Sequence, residues 1–262
     1  MMNFAESLGT EILKARRSGL PFWTAAGFSL APIMGGVFMI ILKDPEFARR
    51  VGLLRTKAEL LSGTADWPTY FGLLSQATAV GGILVFALIT SWVFGREFAD
   101  GTAKDFLALP TRRYSIIAAK FVVVGVWCGL ISALIYFLGL VVGMIIVLPQ
   151  WSQQLAVQGT INLGVTAVLT TLLVTPVAFV ASAGRGYLPP MGFAILVLVL
   201  AQVLGAAGWG PLFPWSVPAL YAGLGENHGA GLDVASSIIV VLTSLTGLIG
   251  TLLWWQYADH IQ

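Results

Sequence analysis

The chain has 262 residues, 57% of them hydrophobic and only 10% charged, with a mean hydropathy of +0.87. Soluble domains carry about a quarter charged residues, so a water-soluble globular protein is excluded. The net charge of +2 is too small to argue for a nucleic-acid partner, and a single cysteine, Cys128, permits no intrachain disulfide.

The charges are segregated. None occurs between Arg17 and Lys43, Asp66 and Arg96, Lys120 and Arg185, Arg185 and Glu226, or Asp233 and Asp259. A membrane crossing needs roughly 20 apolar residues. The first, second, fourth and last gaps therefore take one helix each and the third takes two, which predicts an all-α membrane protein with six transmembrane helices.

In chain order, residues 3–20 place Phe4, Leu8 and Ile12 four apart with Glu6, Glu11, Lys14, Arg16 and Arg17 largely elsewhere, the pattern of an amphipathic helix lying in the interface. Acidic residues at the N-terminus and a long apolar run argue against a cleaved signal peptide, so residues 22–42 read as a retained first span, kinked at Pro32. Across residues 43–67, Asp44 and Pro45 start a second surface helix carrying Phe47, Val51, Leu54, Ala58 and Leu61 at helical spacing. Its Arg49, Arg50, Arg55 and Lys57 face reads as a solvated surface against anionic lipid head groups. The second span is 68–95, followed by a dense polar stretch at 96–120 and a third span at 121–148. Leu148 to Gln154 forms a turn, the fourth span is 157–181, a short loop turns around Gly184, Arg185 and Gly186, and the fifth span is 191–208. Residues 209–233, broken by Pro211, Pro214 and Pro218, suit one or two short re-entrant or interfacial helices. The last span is 234–257.

Lysine and arginine fix the expected orientation. The N-terminal side collects Lys14, Arg16, Arg17, Arg96, Lys104, Arg112, Arg113, Lys120 and Arg185, and the other side only the five in the 43–67 loop. Both termini are expected to be cytoplasmic, with 96–120 the main cytoplasmic loop.

On these boundaries no carboxylate, lysine or histidine falls inside a span, whereas membrane enzymes and ion-coupled carriers keep such groups there. The only histidines, His228 and His260, lie in a loop and the tail, so no metal site is expected. None of the five lysines follows a glycine and precedes Ser or Thr as a phosphate-cradling loop requires; any ATP must be bound by another polypeptide. The uncharged polar groups inside the spans are Gln76, Gln202 and a row of Asn162, Thr166 and Thr170. The row reads either as interhelical hydrogen bonding or as the lining of a translocation path. Two GxxxG motifs, Gly125 to Gly129 and Gly139 to Gly143, fit packing within the subunit or in a dimer equally well.

The most informative stretch runs from Phe94 to Arg113. Asp100 and Gly101 make a turn, Thr102 caps a short helix through Leu109, Pro110 stops it, and Thr111 caps the helix entering the third span. The product is a short helix between two membrane helices, with both charge signs and an apolar face of Phe106, Leu107 and Leu109, suited to docking in a partner's groove.

Glu97, Gly101, Thr102, Lys104, Leu107, Pro110, Thr111 and Arg112 occur in the order found in the ABC-2 type transporter permease family, and Lys120 matches the lysine that opens its third span. The chain resembles that family along most of its length, nearest to permeases of the bacitracin-resistance and lantibiotic-immunity kind. The resemblance implies a type V exporter-like fold in the bacterial cytoplasmic membrane, with the N-terminal helix (Glu11, Lys14, Arg16, Arg17) at the cytoplasmic interface and re-entrant helices outside. It assigns Glu97, Asp100, Gly101, Thr102, Lys104, Asp105, Pro110, Thr111 and Arg112 to a coupling element. It further implies a second permease copy, identical or paralogous, and two copies of an ATP-binding subunit that carry ATP and magnesium, with no cofactor in this chain. The outer segments are small for the family, which points to a small amphiphile, drug or peptide antibiotic as cargo. The alternatives are an ATP-independent carrier or channel lined by Asn162, Thr166, Thr170 and Gln202, and a non-transporting membrane anchor.

Overall fold

The computed structural model describes residues 4–43, 64–102, 113–224 and 233–257, and no strand occurs among them. Nine α-helices are described: α1 (Phe4–Arg17), α2 (Leu20–Lys43), α3 (Trp67–Ala99), α4 (Arg113–Ile145), α5 (Gln153–Leu172), α6 (Thr175–Ala183), α7 (Leu188–Ala206), α8 (Val217–Tyr221) and α9 (Val234–Tyr257). Two single 3₁₀ turns, Gly210–Leu212 and Pro214–Ser216, precede α8. The surface helix expected after Lys43 and the short helix expected from Thr102 to Leu109 fall outside the described residues, apart from Thr102 itself.

Six segments are long and apolar enough to cross a membrane: α2, α3, α4, α5 with α6, α7 and α9. Helices α3 and α4 have 33 residues each. At 1.5 Å per residue that is about 50 Å, well beyond the ~30 Å of hydrocarbon, so their ends carry polar residues past the apolar layer. Helix α3 is central and packs against α2, α4, α5, α6 and α7, with Tyr70, Phe86 and Phe94 fully buried along it. Leu30 and Met34 on α2, Val126 and Leu130 on α4, and Leu242 and Ile249 on α9 remain exposed, the pattern expected where lipid replaces a protein neighbour.

Each end of α3 follows from local chemistry. Asp66 is its N-cap and accepts from the Thr69 backbone N–H at 2.9 Å and from the Thr64 hydroxyl, with Pro68 in the first turn. Burial pushes the Asp66 carboxyl up, but the hydrogen bonds from Thr64 and Thr69 outweigh it and hold the group below its ordinary value. At the other end Gly101 has φ +71°, the left-handed turn that closes a helix and that glycine adopts without steric cost.

The fourth crossing is broken. Helix α5 stops at Leu172 and α6 starts at Thr175, because Pro176 supplies no N–H to the preceding turn. Helix α9 crosses at this break. The Thr175 hydroxyl reaches the Ser244 carbonyl at 2.8 Å, and a Cβ at Gly247 would overlap the backbone of Thr175 and Pro176. Lower on the same interface, Trp255 Nε1 donates to Ser182 Oγ at 2.9 Å.

Candidate functional site

Helix α1 turns one face, Ser7, Glu11 and Ala15, into the molecule at four-residue intervals. It meets the last turn of α3 and the second turn of α4, and there four charged side chains converge. Lys120, with no exposed surface, donates from Nζ to Glu97 Oε1 at 2.7 Å, to Glu11 Oε2 at 3.3 Å and to the Val93 carbonyl at 2.7 Å. Lys14 donates to Glu11 Oε1 at 2.7 Å and to Glu97 Oε1 at 3.0 Å. Two carboxylates and two ammonium groups thus neutralise one another across three helices, with Glu11 and Glu97 each under 5% exposed.

This geometry puts Glu97 and Lys120 on the ends of helices rather than in the loop that the sequence places at 96–120. The periodicity places the ends of the spans at Gly95 and Phe121, but α3 continues through Ala99 and α4 begins at Arg113, so Glu97 and Lys120 enter the interhelical packing. A buried charge is tolerated only when paired and hydrogen-bonded, and the pairing with Glu11 and Lys14 meets that condition. Glu97 Oε2 has no partner among the described residues.

The surroundings tie the ends of segment 100–112 to the rest of the bundle. Arg96 pairs with Asp100 at 3.1 Å and lies 5.0 Å above the Trp92 ring. Arg113 donates to the carbonyls of Trp255 and Gln256 at 3.1 and 3.3 Å, satisfying the open end of α9 where a cation is favoured. The loop between α6 and α7 abuts α3: a Cβ at Gly95 would come within 2.7 Å of the Gly186 carbonyl.

Of the residues that the resemblance assigns to a coupling element, Glu97 lies in the cluster, while Asp100, Gly101 and Thr102 are exposed beside it. Lys104, Asp105, Pro110, Thr111 and Arg112 lie outside the described residues. Glu11 and Lys14 on α1 belong to the cluster, and Arg16 and Arg17 face outward. The ties made by Arg96 and Arg113 are not anticipated by spacing. Lys120 is flagged only by its position in the motif, although extending the helical period back from Trp127 through Val124 and Ile117 places it on the buried face.

The polar residues expected along the spans are not brought together. Thr166 and Thr170 are buried and donate to carbonyls of their own helix, at Asn162 and Thr166, a common local arrangement for membrane hydroxyls. Asn162 lines a cleft of about 140 Å³ with Ser75, Gln158 and Tyr221. Gln202 lines a separate cleft of about 250 Å³ between α3, α7 and α8. Gln76 is half-buried on α3 and lines neither. The two GxxxG motifs also differ: Gly139 and Gly143 are closed over by Leu74 and Trp67, while nothing stands within 4 Å of a Cβ at Gly125 or Gly129. Among the described residues no group of His, Cys, Asp and Glu is arranged to hold a metal ion.

The family model for ABC-2 family transporter protein matches residues 7–201. The chain is also similar to the bacitracin transport permease protein BCRB of Bacillus licheniformis, at 28% identity over 178 residues, which cover 68% of this chain and 85% of that protein. No solved structure matches it. With most of its length matched and six apolar helices able to cross a bilayer, this multi-pass membrane protein belongs to the ABC-2 transporter family.

Proposed function

We propose that the chain is the permease subunit of an ATP-binding cassette exporter in the bacterial cytoplasmic membrane, with both termini cytoplasmic. Two copies, or this chain with a paralogous permease, form the pathway. Two ATP-binding subunits with ATP and magnesium drive it from segment 96–120, and the cargo is a small amphiphile, drug or peptide antibiotic. The observation that carries this reading is the cluster of Glu11, Lys14, Glu97 and Lys120 at the base of that segment. A partner pushing on the segment moves the end of α3 and the start of α4, and these two helices and α1 are bound together by charge-assisted hydrogen bonds. Family membership supports the ATP-binding partner, and the name of the B. licheniformis relative supports the cargo class. On this reading α1 lies along the cytoplasmic interface, the short helix after Thr102 docks in the ATPase, and the turns around α8 form the external re-entrant element of a type V exporter.

Co-purification from the native host tests it. The permease should bring down a nucleotide-binding protein with ATPase activity, and Lys104→Glu should reduce that association by about tenfold or more. Recovery of the chain without an ATPase, together with intrinsic flux after reconstitution, would establish the carrier or channel instead.

A further inference from the structure

The cleft of about 250 Å³ beside α8 has chemistry of its own. Its walls are Val80 and Ile83 of α3, Leu198 and Ala201 of α7, and Trp215 and Leu220 from the turns and short helix that follow. Among the described residues no charged side chain lines it. The Ser216 hydroxyl donates to the Ala201 carbonyl at 3.1 Å, and the Trp215 ring is fixed edge-on to Phe193 with ring centres 5.6 Å apart, so the walls are held in place without a ligand. Gln202 stands at the exposed mouth, and its carboxamide makes no hydrogen bond with any described residue. With both a carbonyl acceptor and amide donors, it can pair with a polar group on whatever enters. Gly205 lines the same cleft, and nothing stands within 4 Å of a Cβ placed on it, so a larger side chain can be introduced there.

We infer that this cleft binds the apolar arm of the exported amphiphile and that Gln202 selects it through one neutral hydrogen-bonding group, an amide or hydroxyl, at the head of that arm. The cargo assignment rests on the exporter reading above. The volume lies below the ~300–1,000 Å³ of clefts that enclose a whole drug-sized ligand, so one arm enters and the rest stays outside. With no charged partner among the described lining residues, the group that pairs best with Gln202 is a neutral one. Apart from Val80, Ile83, Leu198 and Ala201, the lining residues lie beyond residue 201, where the family match ends. The pocket is thus built mainly from the part of the chain that the shared family pattern does not prescribe, as a determinant of cargo choice should be.

Photolabelling of the full chain in lipid nanodiscs tests the site without requiring transport. The probe is decanamide carrying a diazirine on its alkyl chain, and the control is the same hydrocarbon without the amide. The amide probe should label residues 198–224 in preference to the lipid-facing surfaces of α2 and α9. Gln202→Leu should lower that labelling several-fold, up to about tenfold, as expected for one hydrogen bond, and leave the hydrocarbon control unchanged. Gly205→Phe, which fills the cleft from an uncrowded position, should abolish it for both probes. Equal labelling of wild type and Gln202→Leu, or labelling spread evenly over all lipid-facing helices as annular lipid would give, overturns the inference. Because the readout is binding, loss of the exporter reading would appear separately, as absence of ATP-dependent flux with cleft labelling intact.

Discussion

Lys120 is a lysine with no exposed surface on a helix built almost wholly of apolar residues, and only its partners make that tenable. Its ammonium group spends its donors on Glu97, Glu11 and the Val93 carbonyl. Removing one member of such a buried set strands the others and costs about 3–5 kcal/mol, whereas replacing partners together by apolar groups costs far less. Lys120→Met should therefore unfold at markedly lower temperature in detergent than wild type. Lys120→Met combined with Glu97→Leu should recover part of the loss, because the cluster then keeps the balanced pair Glu11 and Lys14. Equal thermal stability of wild type and Lys120→Met would show that the cluster is not a structural joint. The sequence names Glu97, Glu11 and Lys14 as candidates but places them in separate elements, a loop and an interfacial helix. Their meeting depends on the packing of α1 across α3 and α4, and pairwise contacts between residues 83 and 109 positions apart leave no local spacing signal.

At the scale of elements, the apolar gaps between charges count the crossings well, because hydrophobic length is a property of the sequence itself. Breaks and contacts are less legible. Pro32 and Pro176 both stand inside apolar runs, yet α2 continues through Pro32, with Tyr70 donating to its carbonyl at 2.8 Å, while Pro176 separates α5 from α6. What distinguishes them is the neighbour: α9 presses against the second, with Gly247 facing the backbone of Thr175 and Pro176. Gly247→Leu should force α9 away from the break and lower stability by about 1–3 kcal/mol, the cost of overpacking. Gly192→Leu, at a position with nothing within 4 Å, should leave it unchanged within about 0.5 kcal/mol. Thermal unfolding of the two variants measures the difference, and equal values would remove the close approach as a stabilising contact. The same reasoning separates the two GxxxG motifs, identical in pattern but only one enclosed by neighbouring side chains.

At the scale of the whole molecule, charge on the six crossing helices stays near their ends among the described residues, and their body is held by apolar packing and locally satisfied hydroxyls. Among the described residues stand a balanced ionic joint at one end of the bundle and two clefts beside α8 without a charged lining residue. The joint links α1, α3 and α4, and α3 also forms the wall of the larger cleft at Val80 and Ile83; on the proposed exporter reading, a push from the ATPase on these helix ends reaches the cleft through α3.

The most direct test of that account is the amount of cargo moved per ATP hydrolysed in proteoliposomes containing this permease with its co-purified ATPase, compared between wild type and Glu11→Gln. Flux should require both the ATPase and ATP, and Glu11→Gln, which loosens α1 from Lys120 and Lys14, should lower transport per ATP at least about fivefold in assembled complexes. Flux from the permease alone, or an unchanged ratio in the variant, would contradict it.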